Sequence, residues 1–174
     1  MEKTKISKPA PGEYAPHYAT YIQRVEGIDL VAELEHSRER FLTFLRSIPQ
    51  DKLDYRYQTD KWTTKEVLVH MMDVERIFSY RALRFSRNDS TALSGFDDEA
   101  YVAESNASAR SLTDITVEYS AIRASTIELF GNINEEMSRR SGIANGKEMS
   151  VRAIGYTIVG HELHHMDVIR QKYL

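Results

Sequence analysis

The chain has 174 residues with 41% hydrophobic content, the size of one domain and enough apolar side chain for one packed core. A formal net charge of -3 argues against a nucleic-acid partner, whose phosphates call for a basic excess. With no cysteine, disulfides, thiolate-zinc sites and a cysteine nucleophile are excluded, so any metal ligand must offer nitrogen or oxygen.

Met1-Glu2-Lys3-Thr4-Lys5 lacks the apolar run of a signal peptide, and no stretch approaches the roughly 18 apolar residues of a membrane helix. A cytoplasmic chain without a membrane partner is expected. All four prolines, Pro9, Pro11, Pro16 and Pro49, lie early, so nothing of that kind interrupts a helix in the remainder. A single domain over residues 1–174 is predicted, beginning with an irregular N-terminal arm over residues 1–28. Its prolines and Tyr14, Tyr18 and Tyr21 suggest a lid over a pocket. A helix is predicted from about Asp29 to Ser47, with Val31, Leu34, Phe41, Leu42 and Leu45 as its buried stripe and Pro49 beyond its end.

Thr63 and Glu66 form a capping box ahead of a long run without glycine or proline, so a second helix starts there. Val67, His70, Met71, Val74 and Phe78 make its apolar stripe, which places His70 on the inward face. Arg76, Arg81, Arg84 and Arg87 cluster along it and are expected on a solvated or dimer-facing flank, with Asp73 and Glu75 as carboxylate partners. Ser94-Gly95-Phe96-Asp97-Asp98-Glu99 reads as a turn into a short helix. Thr113 or Asp114 begins a third long helix ending near Gly131, with Ile115, Tyr119, Ile122, Thr126 and Leu129 at its 3.6-residue period. A short helix over residues 132–140 and a glycine-containing loop over 141–147 lead to Ser150, the cap of the last helix. Four long helices without a strand pattern of any length predict an all-α four-helix bundle, an architecture that builds metal sites from inward side chains.

The last helix carries Gly160-His161-Glu162-Leu163-His164-His165. Two imidazoles four residues apart lie about 40° and roughly 6 Å from each other on one face, so both can reach one ion. His161 and His165 continue the stripe of Val151, Ile154, Ile158 and Val168, and therefore face inward. A buried neutral imidazole must satisfy both ring nitrogens, through a metal or through hydrogen bonds to carbonyls and carboxylates. His70 offers a third nitrogen, the number common in catalytic zinc sites. Spacing alone leaves metal binding and core packing both open. Gly155 and Gly160 fit either close helix packing or space beside a metal.

The same string satisfies HExxH, in which the glutamate would be the general base of a metallopeptidase. Only nine residues follow it, with no further histidine, and Asp167 falls on another face, so peptidase is the least favoured reading. Asp73, one turn from His70, and Glu162, beside His161, are candidates to orient a ligand ring or move a proton; a surface ion pair is the alternative for each.

Lys61-Trp62-Thr63-Thr64-Lys65-Glu66-Val67-Leu68-Val69-His70, Asp73-Val74-Glu75-Arg76, Arg81-Ala82-Leu83-Arg84-Phe85, Gly95-Phe96-Asp97 and Gly160-His161-Glu162-Leu163-His164-His165 together resemble the DinB superfamily, most closely its YfiT-like branch. The resemblance runs from about Pro9 to Tyr173. It implies an up-up-down-down four-helix bundle, often a homodimer, with a divalent metal held by His70, His161 and His165. His164 has no ligand role in that pattern and is expected on the helix flank or pocket wall, with His17 and His36 as surface or arm residues. The activities it implies on a small-molecule substrate are metal-dependent hydrolysis and transfer of a low-molecular-weight thiol to an electrophile. Zinc and nickel lead among the ions that imidazoles suit. A non-catalytic metal-binding or structural protein, its site closed by His164, Asp73 or Glu162 as a fourth ligand, is the rival.

Overall fold

A computed structural model of the protein describes residues 5–174. Four long helices, α2 (Leu30–Ser47), α3 (Thr64–Ser86), α5 (Leu112–Gly131) and α7 (Val151–Lys172), form the bundle. Shorter α1 (Ala19–Ile22), α4 (Asp98–Ala103) and α6 (Glu135–Arg139) decorate it, with a hairpin of β1 (Ser141–Ala144) and β2 (Lys147–Ser150).

The helix starts are set by side chains that satisfy free backbone N–H groups. Asp29 accepts from the Val31 amide, Thr63 and Glu66 form the expected capping box, and Ser150 accepts from Ala153. The third long helix starts earlier than expected, because Ser111 and Asp114 make a second capping box and Ser111 is its N-cap.

Two regions differ from the expectation. Within the arm, Pro16–Tyr18 form a 3-10 turn that runs into α1, with Pro16 at a first-turn position where its missing N–H costs nothing. The segment expected to be a loop over 141–147 is the antiparallel hairpin, whose two-residue Asn145-Gly146 turn has φ of 52° and 69°. Asn-Gly is the pair that tolerates positive φ at both turn positions.

α2 packs on α5 and α7, and α3 packs on the same two, so α2 lies diagonal to α3 and α5 to α7. One apolar cluster joins Leu30 and Leu34 of α2, Phe78 and Phe85 of α3, Phe130 of α5 and Ile154 of α7. Another joins Phe41, Leu68, Ile115 and Ile169 from the opposite ends of the same helices. Hence α2 and α7 run one way and α3 and α5 the other. Around the bundle, α7, α2, α5 and α3 read up, up, down, down; along the chain the order is up, down, down, up, because residues 48–63 turn α3 back from the end that α2 reaches.

Ser37, Glu75, Arg123 and Glu162 lie on α2, α3, α5 and α7 between these clusters, a polar belt at mid-height. Gly155 and Gly160 both mark close packing. A Cβ at Gly155 would meet Leu30 and Phe130, and one at Gly160 would lie 2.1 Å from the Tyr21 carbonyl oxygen. Gly160 thus lets the arm seat its backbone directly on α7. Among the described residues, no helix is long and apolar enough to cross a membrane.

Candidate metal centre

Because α3 and α7 are antiparallel, the first half of α3 faces the second half of α7, which brings His70 to His161 and His165. The Nε2 atoms of His70 and His161 are 3.2 Å apart, and those of His165 and His161 are 3.0 Å apart. His70 is 6% exposed and His161 8% exposed. Burial lowers the His70 pKa to about 4 and that of His165 to about 3, the latter helped by the neighbouring histidines, and holds His161 well below its ordinary value. All three rings are therefore neutral at pH 7, with lone pairs to offer.

Hydrogen bonding alone accommodates this cluster poorly. A ring nitrogen has either one N–H or one in-plane lone pair, yet His161 Nε2 meets two other Nε2 atoms at bonding distance. One cation at the centre would satisfy all three. Zinc bound to imidazole nitrogens at 2.0–2.1 Å in tetrahedral array needs donors roughly 3.3 Å apart, close to the spacings found. Among the described residues, His70, His161 and His165 form a group able to hold a metal ion, and no fourth histidine or carboxylate joins it. The donor set fits a divalent metal.

Behind His70, Nδ1 lies 3.7 Å from Asp98 Oδ1, longer than a hydrogen bond, so the carboxylate stands near the ring without fixing it. Asp98 is a residue that sequence reasoning missed; it arrives on α4, and no periodicity links it to α3. Trp62 packs on His70 with ring centroids 4.8 Å apart, while its Nε1 donates to Glu99 at 2.8 Å.

The cluster opens into a cavity of about 350 Å³, lined also by Tyr18, Tyr21, Phe78, Arg81, Phe96 and Asp98. The arm does lie over it: His17, Tyr18 and Tyr21 form part of the wall. Tyr14 instead packs on the apolar core. His164 is on the flank, its ring 5.5 Å from that of Tyr21, and it lines a second cavity. His36 is exposed on α2.

The two carboxylate candidates stand elsewhere. Asp73 lies 3.6 Å from Arg76, the ion-pair alternative. Glu162 is neither in the cavity beside the histidines nor in a surface ion pair: it is 3% exposed and accepts from Tyr119 Oη at 2.8 Å and from Arg123 at 2.7 Å. Adjacent helix positions point about 100° apart, so a residue beside His161 turns toward α5. That orientation also removes the base of the metallopeptidase reading. Of the arginine cluster, Arg76 pairs with Asp73 and Glu118 and Arg84 with Asp89, as on a solvated flank. Glu75 pairs with Arg123 instead, and Arg81 is buried in the cavity wall.

The depressed histidine pKa values set an acid limit on protein freed of metal. Below pH 6.5 the unfolded chain takes up protons that the folded site refuses, so stability is full above 6.5 and falls as pH drops toward 4. The loss is up to about 1.4 kcal/mol per pH unit for each histidine. Urea midpoints in chelator at pH 7.5, 6.0 and 5.0 should decline in that order; a constant midpoint would contradict the buried, neutral cluster.

A family model described as the DinB superfamily matches residues 33–169. Among solved structures, the chain is similar to YfiT from Bacillus subtilis, described as a probable metal-dependent hydrolase with an unusual four-helix bundle topology. The TM-score is 0.72 at 14% identity, over 95% of this chain and 93% of that one. No curated protein matches the sequence.

Proposed function

The chain belongs to the DinB superfamily, and from that starting point we propose that it is a metal-dependent enzyme acting on a small electrophilic molecule, with His70, His161 and His165 as the metal ligands. The observation that carries this reading is the convergence of three neutral imidazole nitrogens at one end of a 350 Å³ cavity. A divalent ion held by three neutral ligands keeps its full charge, which favours the deprotonated form of a bound water or thiol at neutral pH.

The chain's own groups supply the rest. Asp98 stands 3.7 Å from the His70 Nδ1 and faces the cavity, where burial raises its pKa and suits it to accept a proton. Trp62 and Tyr21 flank the histidines and narrow their access to bulk water, which strengthens electrostatic effects inside. The lack of a fourth protein donor among the described residues favours an open position over a closed structural site.

One observation favours thiol transfer over hydrolysis. A second cavity of about 220 Å³ lies on the other side of Trp62, and both cavities touch His165 and Trp62. Two compartments meeting at one centre suit two organic substrates, whereas hydrolysis needs only one besides water. The test is turnover of aryl esters and of electrophile–thiol pairs by zinc- and nickel-loaded protein. Metal-dependent turnover that is lost in His70→Ala is expected, with a thiol requirement marking the transferase. No metal-dependent turnover across both panels would contradict the proposal.

A further inference from the structure

Arg81 is only 5% exposed, and it lines the large cavity rather than the outer flank of α3. Its guanidinium carbon lies 5.1 Å from the Phe78 ring centre and 5.7 Å from that of Phe96. One of its five N–H groups donates to the Ser94 carbonyl at 3.2 Å. Arg76, Arg84, Arg110, Arg123 and Arg152 each have a carboxylate partner, but Arg81 has no ion pair among the described residues. A guanidinium stays charged at neutral pH, and Asp98, which acts on it through space, lies beyond ion-pair distance, so the cost of burying the charge is only partly offset. Its remaining donors are left for whatever enters the cavity.

His70, Val74, Phe78 and Arg81 line one face of α3 and the same cavity. The helix places the ends of that row about 16 Å apart along its axis, with Arg81 leaning back toward the N-terminal turns. The cavity thus has the histidines at one end, a cation at the other and apolar wall between. Asn145 adds an amide to the wall; its side chain packs on Gly95, next to the Ser94 carbonyl that holds Arg81. Asp98 also faces the cavity and disfavours a dianion such as a phosphate monoester, whereas a carboxylate matches one planar guanidinium.

We propose that Arg81 anchors the substrate by its carboxylate: the molecule is a small monocarboxylate with an apolar or aromatic body, its charged end on Arg81 and its reacting end toward the three histidines. This rests on the proposed function for the position of the reacting end, and it adds the substrate class. Phe78, Phe96 and Tyr18 receive the body, and Arg81 sets specificity.

The test uses Trp62, the only tryptophan of the chain, which lines the same cavity and reports binding by its fluorescence. The probes are 3-phenylpropionate and its neutral analogue 3-phenylpropanamide, titrated into full-length protein, both chelator-treated and zinc-loaded. Metal-free wild type should bind the acid at least about tenfold more tightly than the amide. Arg81→Gln should remove that preference while leaving amide binding unchanged, and Arg81→Lys should keep part of it. Equal binding of acid and amide, a preference retained in Arg81→Gln, or a preference that appears only with zinc would overturn the proposal. Should Arg81→Gln fail to fold, Arg81→Lys decides, with an undiminished ratio counting against. Carboxylate preference in a protein that never takes up metal would refute the metal reading and leave Arg81 standing; metal uptake without the preference would do the reverse.

Discussion

Arg123→Gln is expected to destabilise the fold by about 3–5 kcal/mol, the largest effect of any single replacement considered for this chain. Arg123 is fully buried and has raised affinity for its proton because two carboxylates surround it. Its Nε and Nη2 donate to the two Glu75 oxygens at 2.8 and 2.9 Å, Nη2 also donates to Glu162 at 2.7 Å, and Nη1 donates to Ser37. Four helices are thereby tied at mid-height. Removing the guanidinium leaves two acids in the interior without a counter-charge, and it is that leftover charge, more than the lost hydrogen bonds, that unfolds the protein. Glu162→Gln should be far milder, within about 1 kcal/mol, since one carboxylate still balances the cation and the amide oxygen still accepts from Tyr119. Urea unfolding of the two variants separates these outcomes. Equal midpoints for Arg123→Gln and wild type would mean that the belt is not formed.

Loading the site with zinc should raise the melting temperature by about 10 °C. Binding at a thousandfold over Kd adds roughly 4 kcal/mol, and a chain of this size gains about 2–4 °C per kcal/mol. Chelator should reverse the shift. His161→Ala should abolish it, because His161 Nε2 is the atom that meets both of the other donors. Calorimetry of wild type and variant with and without zinc would show this. A shift of the same size in His161→Ala would place the ion elsewhere.

The features legible in the sequence are those encoded within a few residues. The i, i+4 spacing of His161 and His165, the Thr63–Glu66 box that starts the His70 helix and the cap at Ser150 all follow from helix geometry, and the structure has each of them. What escaped depends on contacts between distant segments. Glu162 meets Arg123 across 39 residues, and a carboxylate facing a buried guanidinium has the same local pattern as one facing water. Asp98 reaches His70 only because α4 folds back over α3. Arg81 is the exception: three residues after Phe78 it continues the stripe of His70, Val74 and Phe78, a local signal that grouping it with Arg76 and Arg84 as a charge cluster hid. The hairpin is a different case: Asn145-Gly146 is a local signal, but four-residue strands are too short to show alternation.

Three histidines that hold one ion set the metal content of the chain. Elemental analysis of untagged protein, purified without added metal, measures it for wild type and His161→Ala together. Close to one zinc or nickel per wild-type chain is expected, with a content near zero in the variant. No metal in either form, even after reconstitution, would return His70, His161 and His165 to the core as packing residues.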